Sequence, residues 1–145
     1  MDRNLVARAS VDIDAPVDSV WRALVDPAAI KHYMFGTDVV SDWREGSPIV
    51  WRGEWQGRPY EDKGIITRLQ PGREVQYTHY SPLSGAPDVP ESYHTITIEL
   101  SNAGTQTHVT LSQDRNATED ERAHSEQNWQ MVLDELKNFV EQQAR

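Results

Sequence analysis

From Thr118 onward the chain reads as one amphipathic helix, and it follows a series of short strand-like runs bounded by turns. Trp129, Val132, Leu133, Leu136, Phe139 and Val140 recur at three- and four-residue spacing, which places them on one stripe of that helix. Thr118 and Glu121 fit a capping box at its start, the hydroxyl accepting from an orphan amide and the carboxylate reaching back. A single terminal helix with this much apolar surface needs a concave partner, and the strands before it are the only segments able to supply one. A sheet that grips a helix in this way commonly encloses a cavity.

The upstream pattern supplies the sheet. Val6 to Ile13 alternates, with Ala7, Ala9, Val11 and Ile13 as the apolar set, and predicts a half-buried strand. Pro16 suits the first position of a helix whose apolar face is Val20, Trp21, Leu24 and Val25. Asp26-Pro27 ends it and begins a second short helix through Tyr33. Strands then follow at Val39-Val40, Ile49–Trp55, Tyr60–Leu69 and Glu74–Tyr80, with Gln56-Gly57 as a tight hairpin turn. Ser81–Ser92 holds three prolines and reads as a long loop without regular structure. Tyr93–Leu100 and His108–Gln113 form a last hairpin across Asn102-Ala103-Gly104. Sequential strands joined by short turns predict an antiparallel sheet of about six to seven strands in an α+β fold.

Length and composition narrow the function classes. The 145 residues are expected to form one domain, 1–145, large enough for a real core. A formal charge of −9 argues against nucleic acid, whose phosphates demand a basic face. No window approaches the roughly eighteen uninterrupted apolar residues of a membrane span, so no membrane insertion is expected. Met1 to Ala9 has no apolar signal-peptide core, and the chain has no cysteine; the expected location is cytoplasmic. The missing thiols also remove disulfides, thiolate catalysis and thiolate metal sites.

Several strings resemble the START-like, Bet v 1-like (SRPBCC) helix-grip superfamily, and within it the branch named after the activator of Hsp90 ATPase. They are IDAPVDSVWRALVDP (Ile13 to Pro27), the pair Phe35-Gly36, SDWREGSPIVWRGEW (Ser41 to Trp55), Glu61 to Gly85, and NWQMVLDELKNFVE (Asn128 to Glu141). They span nearly the whole chain in family order. The resemblance implies a helix-grip fold: a curved antiparallel sheet around the C-terminal helix, with two short helices after the first strand. It implies no single activity, because this scaffold hosts ligand carriers, cyclases, hydrolases and chaperone activators. Two positions depart from the family pattern: Tyr33-Met34-Phe35 stands where relatives place Trp before Phe-Gly, and His79 stands where many end the fifth strand in Trp.

Strand alternation picks the candidate cavity lining. Ile49, Trp51, Gly53 and Trp55 share one face, Val75, Tyr77 and His79 another, and His94 stands at the entrance of the set Ile96, Ile98 and Leu100. Trp and Tyr present an apolar body with one polar tip, which suits a mostly apolar ligand with a few hydrogen-bonding groups. Trp21 and Trp129 read first as packing, with Trp129 carried as a lining residue from the helix. Trp43 beside Gly46 reads as a loop anchor. At about 100° per residue, Arg122 and Ser125 continue the line of Trp129, so the stripe turns polar and these two would sit at the mouth. There Arg122 would meet an anionic or carbonyl group. Met34 and Phe35, with the Ser81–Ser92 loop, would form the lips.

His32, His79, His94, His108 and His124 show no metal-ligand spacing, so no metal and no cofactor are expected. His108 and His124 read as surface residues, and Asp62 and Glu61 as solvent-facing or paired with Lys63 and Arg58. The first functional reading is binding of a small, largely hydrophobic, aromatic or lipid-like molecule. Stacking walls would come from Trp51, Trp55 and Tyr77 and a polar contact from His79. The second is a cyclase- or hydrolase-type enzyme with His79 as acid/base, which requires a carboxylate or other polar group within reach of its ring. The third, from the family name alone, is an interaction module regulating a chaperone ATPase. Self-association as a homodimer is left open beside these.

Overall fold

The computed structural model describes residues 5–143, leaving the Trp55 side chain outside the described part. The elements run β1 (Leu5–Ile13), α1 (Val17–Leu24), α2 (Pro27–Tyr33), β2 (Asp38–Ser41), β3 (Pro48–Trp55), β4 (Arg58–Gln70), β5 (Glu74–His79), β6 (His94–Ala103), β7 (Gln106–Asn116) and α3 (Glu119–Gln143). All neighbours pair antiparallel in the order β1-β7-β6-β5-β4-β3-β2. This is the helix-grip α+β arrangement that the pattern predicts, with α3 as the gripped element.

The apolar stripe of α3 seals the core. Leu133, Leu136 and Val140 are fully buried against Ile13, Ile49, Val75, Ile98 and Leu111, while Trp129, Val132 and Phe139 flank them half-buried. Thr118 Oγ1 accepts from the Glu121 amide at 3.1 Å. The Glu121 carboxylate takes the Ala117 amide at 2.9 Å, one residue before the position a capping box assigns. Polar side chains of α3 also bond to the free edge of β1. Glu126 accepts from the Arg8 amide and Gln130 donates to the Ser10 carbonyl. Lys137 donates to the Asp12 carbonyl, and Glu141 accepts from the Asp14 amide just past the strand. From Arg8 to Asp14 every second residue thus has one backbone group capped by a side chain, which hinders strand addition there.

β4 is long because it serves two neighbours, pairing with β3 from Arg58 to Ile65 and with β5 from Ile66 to Gln70. Gly64 sits at the changeover, where a Cβ would lie 1.7 Å from the Thr78 carbonyl oxygen; only glycine permits this approach.

Three local expectations are corrected. Pro16 stands one residue ahead of α1, in extended conformation, rather than in its first turn. The β6–β7 hairpin runs three residues further than predicted, with its turn at Gly104-Thr105, because Ala103 still pairs with Gln106. The Ser81–Ser92 segment contains two single-turn 3₁₀ helices, Pro82–Ser84 and Pro90–Ser92. It is strapped to the outer face of the sheet: Tyr80 stacks on Tyr93 at 5.2 Å and donates to the Ala86 carbonyl, and Asp88 binds both Lys63 and Tyr93.

Candidate functional site

The two-residue turn after Trp55 sets the register that builds the site. It places Trp51 opposite Asp62 and Gly53 opposite Tyr60, on the face of the sheet turned toward α3. From β5, Tyr77 lies opposite Ile66 of β4, and His79 follows two residues later on the same face. Asp62 and His79 are thereby diagonal neighbours on adjoining strands, within reach of each other.

The space between sheet and helix has two parts. The inner cavity, lined by Leu24, Tyr33, Trp43, Val75, Leu133 and their neighbours, holds about 20 Å³. That is room for about one water, so the largely apolar cavity expected between sheet and helix is nearly filled in this part. Beside it, sharing Met34, Trp51, Tyr77 and Trp129, an open cleft of about 120 Å³ is completed by Thr37, Tyr60, Asp62 and His79.

His79 Nε2 donates to Asp62 Oδ2 at 2.9 Å, which leaves Nδ1 as the acceptor when the ring is neutral. The Trp51 ring meets the His79 ring edge-on at 5.0 Å and the Tyr77 ring at 5.1 Å. The Asp62 side chain is only 15% exposed, and its Oδ1 is buried without a hydrogen-bond partner among the described residues. Burial raises the pKa of Tyr77, so it stays a neutral phenol. Tyr33 is held from behind by donating to the Ala23 carbonyl at 3.0 Å; burial, then the neighbouring Tyr77, raise its pKa too. Tyr60 and Thr37 share a hydrogen bond of 2.8 Å. Gly53 makes this possible, since a Cβ there would stand 2.6 Å from the Tyr60 hydroxyl.

Trp129 is oriented by donating Nε1–H to Gln113 Oε1 at 2.6 Å. Gln113 in turn belongs to a buried network with Asn116 and Ser125, in which the Asn116 amide also donates to the Leu5 and Gln113 carbonyls. This network closes the space toward the start of α3 with satisfied polar groups rather than with a mouth.

Of the residues expected at the site, Met34, Trp51, Tyr77, His79 and Trp129 come together in the cleft. Trp55 lies outside the described residues as far as its side chain is concerned. His94 pairs with His79 across β5–β6, but its Nδ1 donates to the Asp114 carbonyl at 2.8 Å and it lines neither space. Arg122 is not at a mouth. Its guanidinium binds Glu119 and Glu126 of its own helix, hydrogen bonds that raise its pKa further and occupy the donors assigned to a ligand. Ser125 is spent on Asn116 and Gln113. Phe35 is 62% exposed, because the chain turns at it in left-handed conformation (φ 56°) and carries its ring away from the cleft.

Asp62, Tyr60 and Thr37 are the site residues that sequence reasoning missed; Asp62 faces inward and pairs with His79, not with Lys63 or Arg58. Trp43 is also more than a loop anchor, since it lines the inner cavity in left-handed conformation, its amide donating to Ser41 Oγ. His108 binds Asp12 on the surface and His124 is exposed. Among the described residues no group of His, Asp or Glu side chains is arranged to hold a metal, and no helix is long and apolar enough to cross a membrane.

Known proteins share this fold. The family model described as "Activator of Hsp90 ATPase homolog 1-like protein" matches residues 14–141. The solution structure of ChR145 from Cytophaga hutchinsonii is 51% identical, covers 99% of both chains and superposes with a TM-score of 0.87. CalU16 from Micromonospora echinospora shares the fold at 24% identity and TM-score 0.72, over 95% of this chain and 85% of that one. The Aha1 dimer from Colwellia psychrerythraea does so at 22% and 0.72, over 94% and 96%. No curated protein matches. The chain belongs to the activator of Hsp90 ATPase homolog 1-like family.

Proposed function

From that membership we propose that this protein binds a small, largely hydrophobic molecule in the cleft between β3–β5 and α3. The observation that carries the reading is a solvent-connected space of about 120 Å³ walled by Trp51, Tyr77, Trp129 and Met34, with His79, Asp62, Thr37 and Tyr60 on its remaining side. Rings give contact area, while the few polar groups fix orientation, which is the usual make-up of a small-molecule site. The volume of about 120 Å³ suits a compact one-ring group inside the cleft. A cytoplasmic setting belongs to the same proposal, supported by the absence of cysteine.

The test is a titration with phenol followed by tryptophan fluorescence and calorimetry. Saturable binding that is lost in Trp51→Ala, with unchanged far-UV circular dichroism, supports the reading. A flat response in the wild-type protein rejects it.

One observation favours a second reading, a hydrolase- or cyclase-type enzyme. Asp62 orients the His79 ring, the arrangement a general base needs, and leaves Nδ1 free to take a proton from water or substrate. Turnover of phenyl acetate above the buffer rate, reduced at least about tenfold in His79→Gln, would establish acid/base work at this ring; equal rates would end it. A chaperone ATPase as partner rests on the family description. A homodimer is supported by the Colwellia protein of the same fold and is tested by sedimentation.

A further inference from the structure

We infer that the ligand carries a positive charge: the cleft is built for a small organic cation such as an alkylammonium group. This rests on the binding reading above and adds a chemical class to it. Two observations about charge point the same way. The lining of the cleft contains a carboxylate and no Lys or Arg. Asp62 Oδ1 is buried and without a hydrogen-bond partner among the described residues, and Oδ2 is held by His79; above the ordinary imidazole range this leaves one carboxylate charge beside an uncharged ring. The field of such a buried carboxylate favours an arriving cation and opposes an arriving anion.

The walls add the second element of cation recognition. Trp51, Tyr60, Tyr77 and Trp129 bring four ring systems to one space, and the negative face of an aromatic ring attracts a nearby cation. Met34 supplies a polarizable fifth wall. An ammonium clothed in methyl groups satisfies both sides, since its surface is apolar and its charge is diffuse. The space of about 120 Å³ is of the order of such a group. At longer range, the formal charge of −9 draws cations toward the protein and repels carboxylate ligands. The only cationic side chain once expected at the mouth, Arg122, is bound by Glu119 and Glu126 and takes no part.

The experiment compares tetramethylammonium chloride with tert-butanol, a neutral molecule of matched size. The readouts are the indole resonances of the wild-type protein and calorimetry, in a buffer of about pH 8, above the ordinary imidazole range. Sodium chloride at equal ionic strength is the control. Tetramethylammonium is expected to bind at least about tenfold more tightly than tert-butanol, and Asp62→Asn, which removes charge with little change of shape, to bring the two within about twofold. Equal affinities in the wild-type protein, or an unchanged preference in Asp62→Asn, overturn the inference. If phenol binds while tetramethylammonium does not, the cation class is wrong and the binding reading stands. If neither binds, both fall.

Discussion

Leu133→Ala tests whether packing alone keeps the inner cavity closed. Leu133 is 1% exposed, stands one helical turn after Trp129, and lines the space of about 20 Å³ that adjoins the cleft. Removing its three outer carbons forfeits about 2.4 kcal/mol of transfer free energy at roughly 0.8 kcal/mol per methylene. A residual hole on the order of 80 Å³ adds about 2 kcal/mol at roughly 24 cal/mol per Å³. The total, about 4 kcal/mol, lies inside the range of about 2.7 to 5 kcal/mol measured for such truncations in a well-packed core. Denaturant unfolding at fixed slope measures it. The enlarged hole joins the cleft through the walls they share, so the variant should also gain affinity for benzene or indole, read by calorimetry. A loss below about 1.5 kcal/mol, or no gain of affinity, would refute the reasoning. Either result would show that sheet and helix collapse together and that the inner space is not held open by a rigid frame.

Two further substitutions probe neighbouring links. Gly53→Ala places a methyl group 2.6 Å from the Tyr60 hydroxyl, so the phenol must leave Thr37. The expected cost is about 1–3 kcal/mol, with shifted Tyr60 ring resonances; unchanged resonances would contradict the packing argument. In the strap over the outer face, hydrogen bonds from Lys63 and then Tyr93 hold the Asp88 carboxyl below its usual pKa. A depressed folded pKa contributes stability above the unfolded value and loses it as pH falls through the folded one. The stability gap between wild type and Asp88→Asn should therefore narrow as pH drops below the ordinary Asp range. A gap that persists to the acid end of the folded range would remove the ion pair as its cause.

Much of the fold was legible because it depends on periodicity. The α3 stripe, the succession of antiparallel strands and the helix boundary at Asp26-Pro27 all follow from spacing and turn chemistry, and at that boundary Asp26 accepts from the Ala28 amide. On the strands the site was legible where alternation was followed, as for Trp51, Tyr77 and His79. Trp51 and Tyr77 are apolar and inward; Asp62 is charged and inward, and its charge overrode its parity with Ile66. The signal was present, since a two-residue turn at Gln56-Gly57 makes Trp51 and Asp62 partners by counting. Arg122 was misplaced for the converse reason. Its helical phase points along the stripe, but Glu119 and Glu126 stand three residues before it and four after it, and such pairs form whenever the helix does. Phe35 could not be placed by pattern, because one left-handed residue at the end of α2 reverses where its ring points.

The Asp62–His79 pair distinguishes a working cleft from an imperfect core. If this corner existed only to pack, a buried carboxylate oxygen without a partner would be a liability of about 1–3 kcal/mol, and an apolar pair of similar volume would serve the fold better. The double variant Asp62→Val/His79→Phe tests that directly. It keeps an aromatic ring against Trp51 and removes both the charge and the unpaired acceptor. Its stability should equal or exceed that of the wild type, by up to about 2 kcal/mol. His79→Phe alone should destabilise, since it leaves both Asp62 oxygens unpartnered. Ligand binding should fail in both variants, which would place stability and function in opposition at one pair of residues. A double variant less stable than the wild type by more than about 2 kcal/mol would mean that the pair holds β4 to β5, and the case for a polar group kept for its ligand would then be lost.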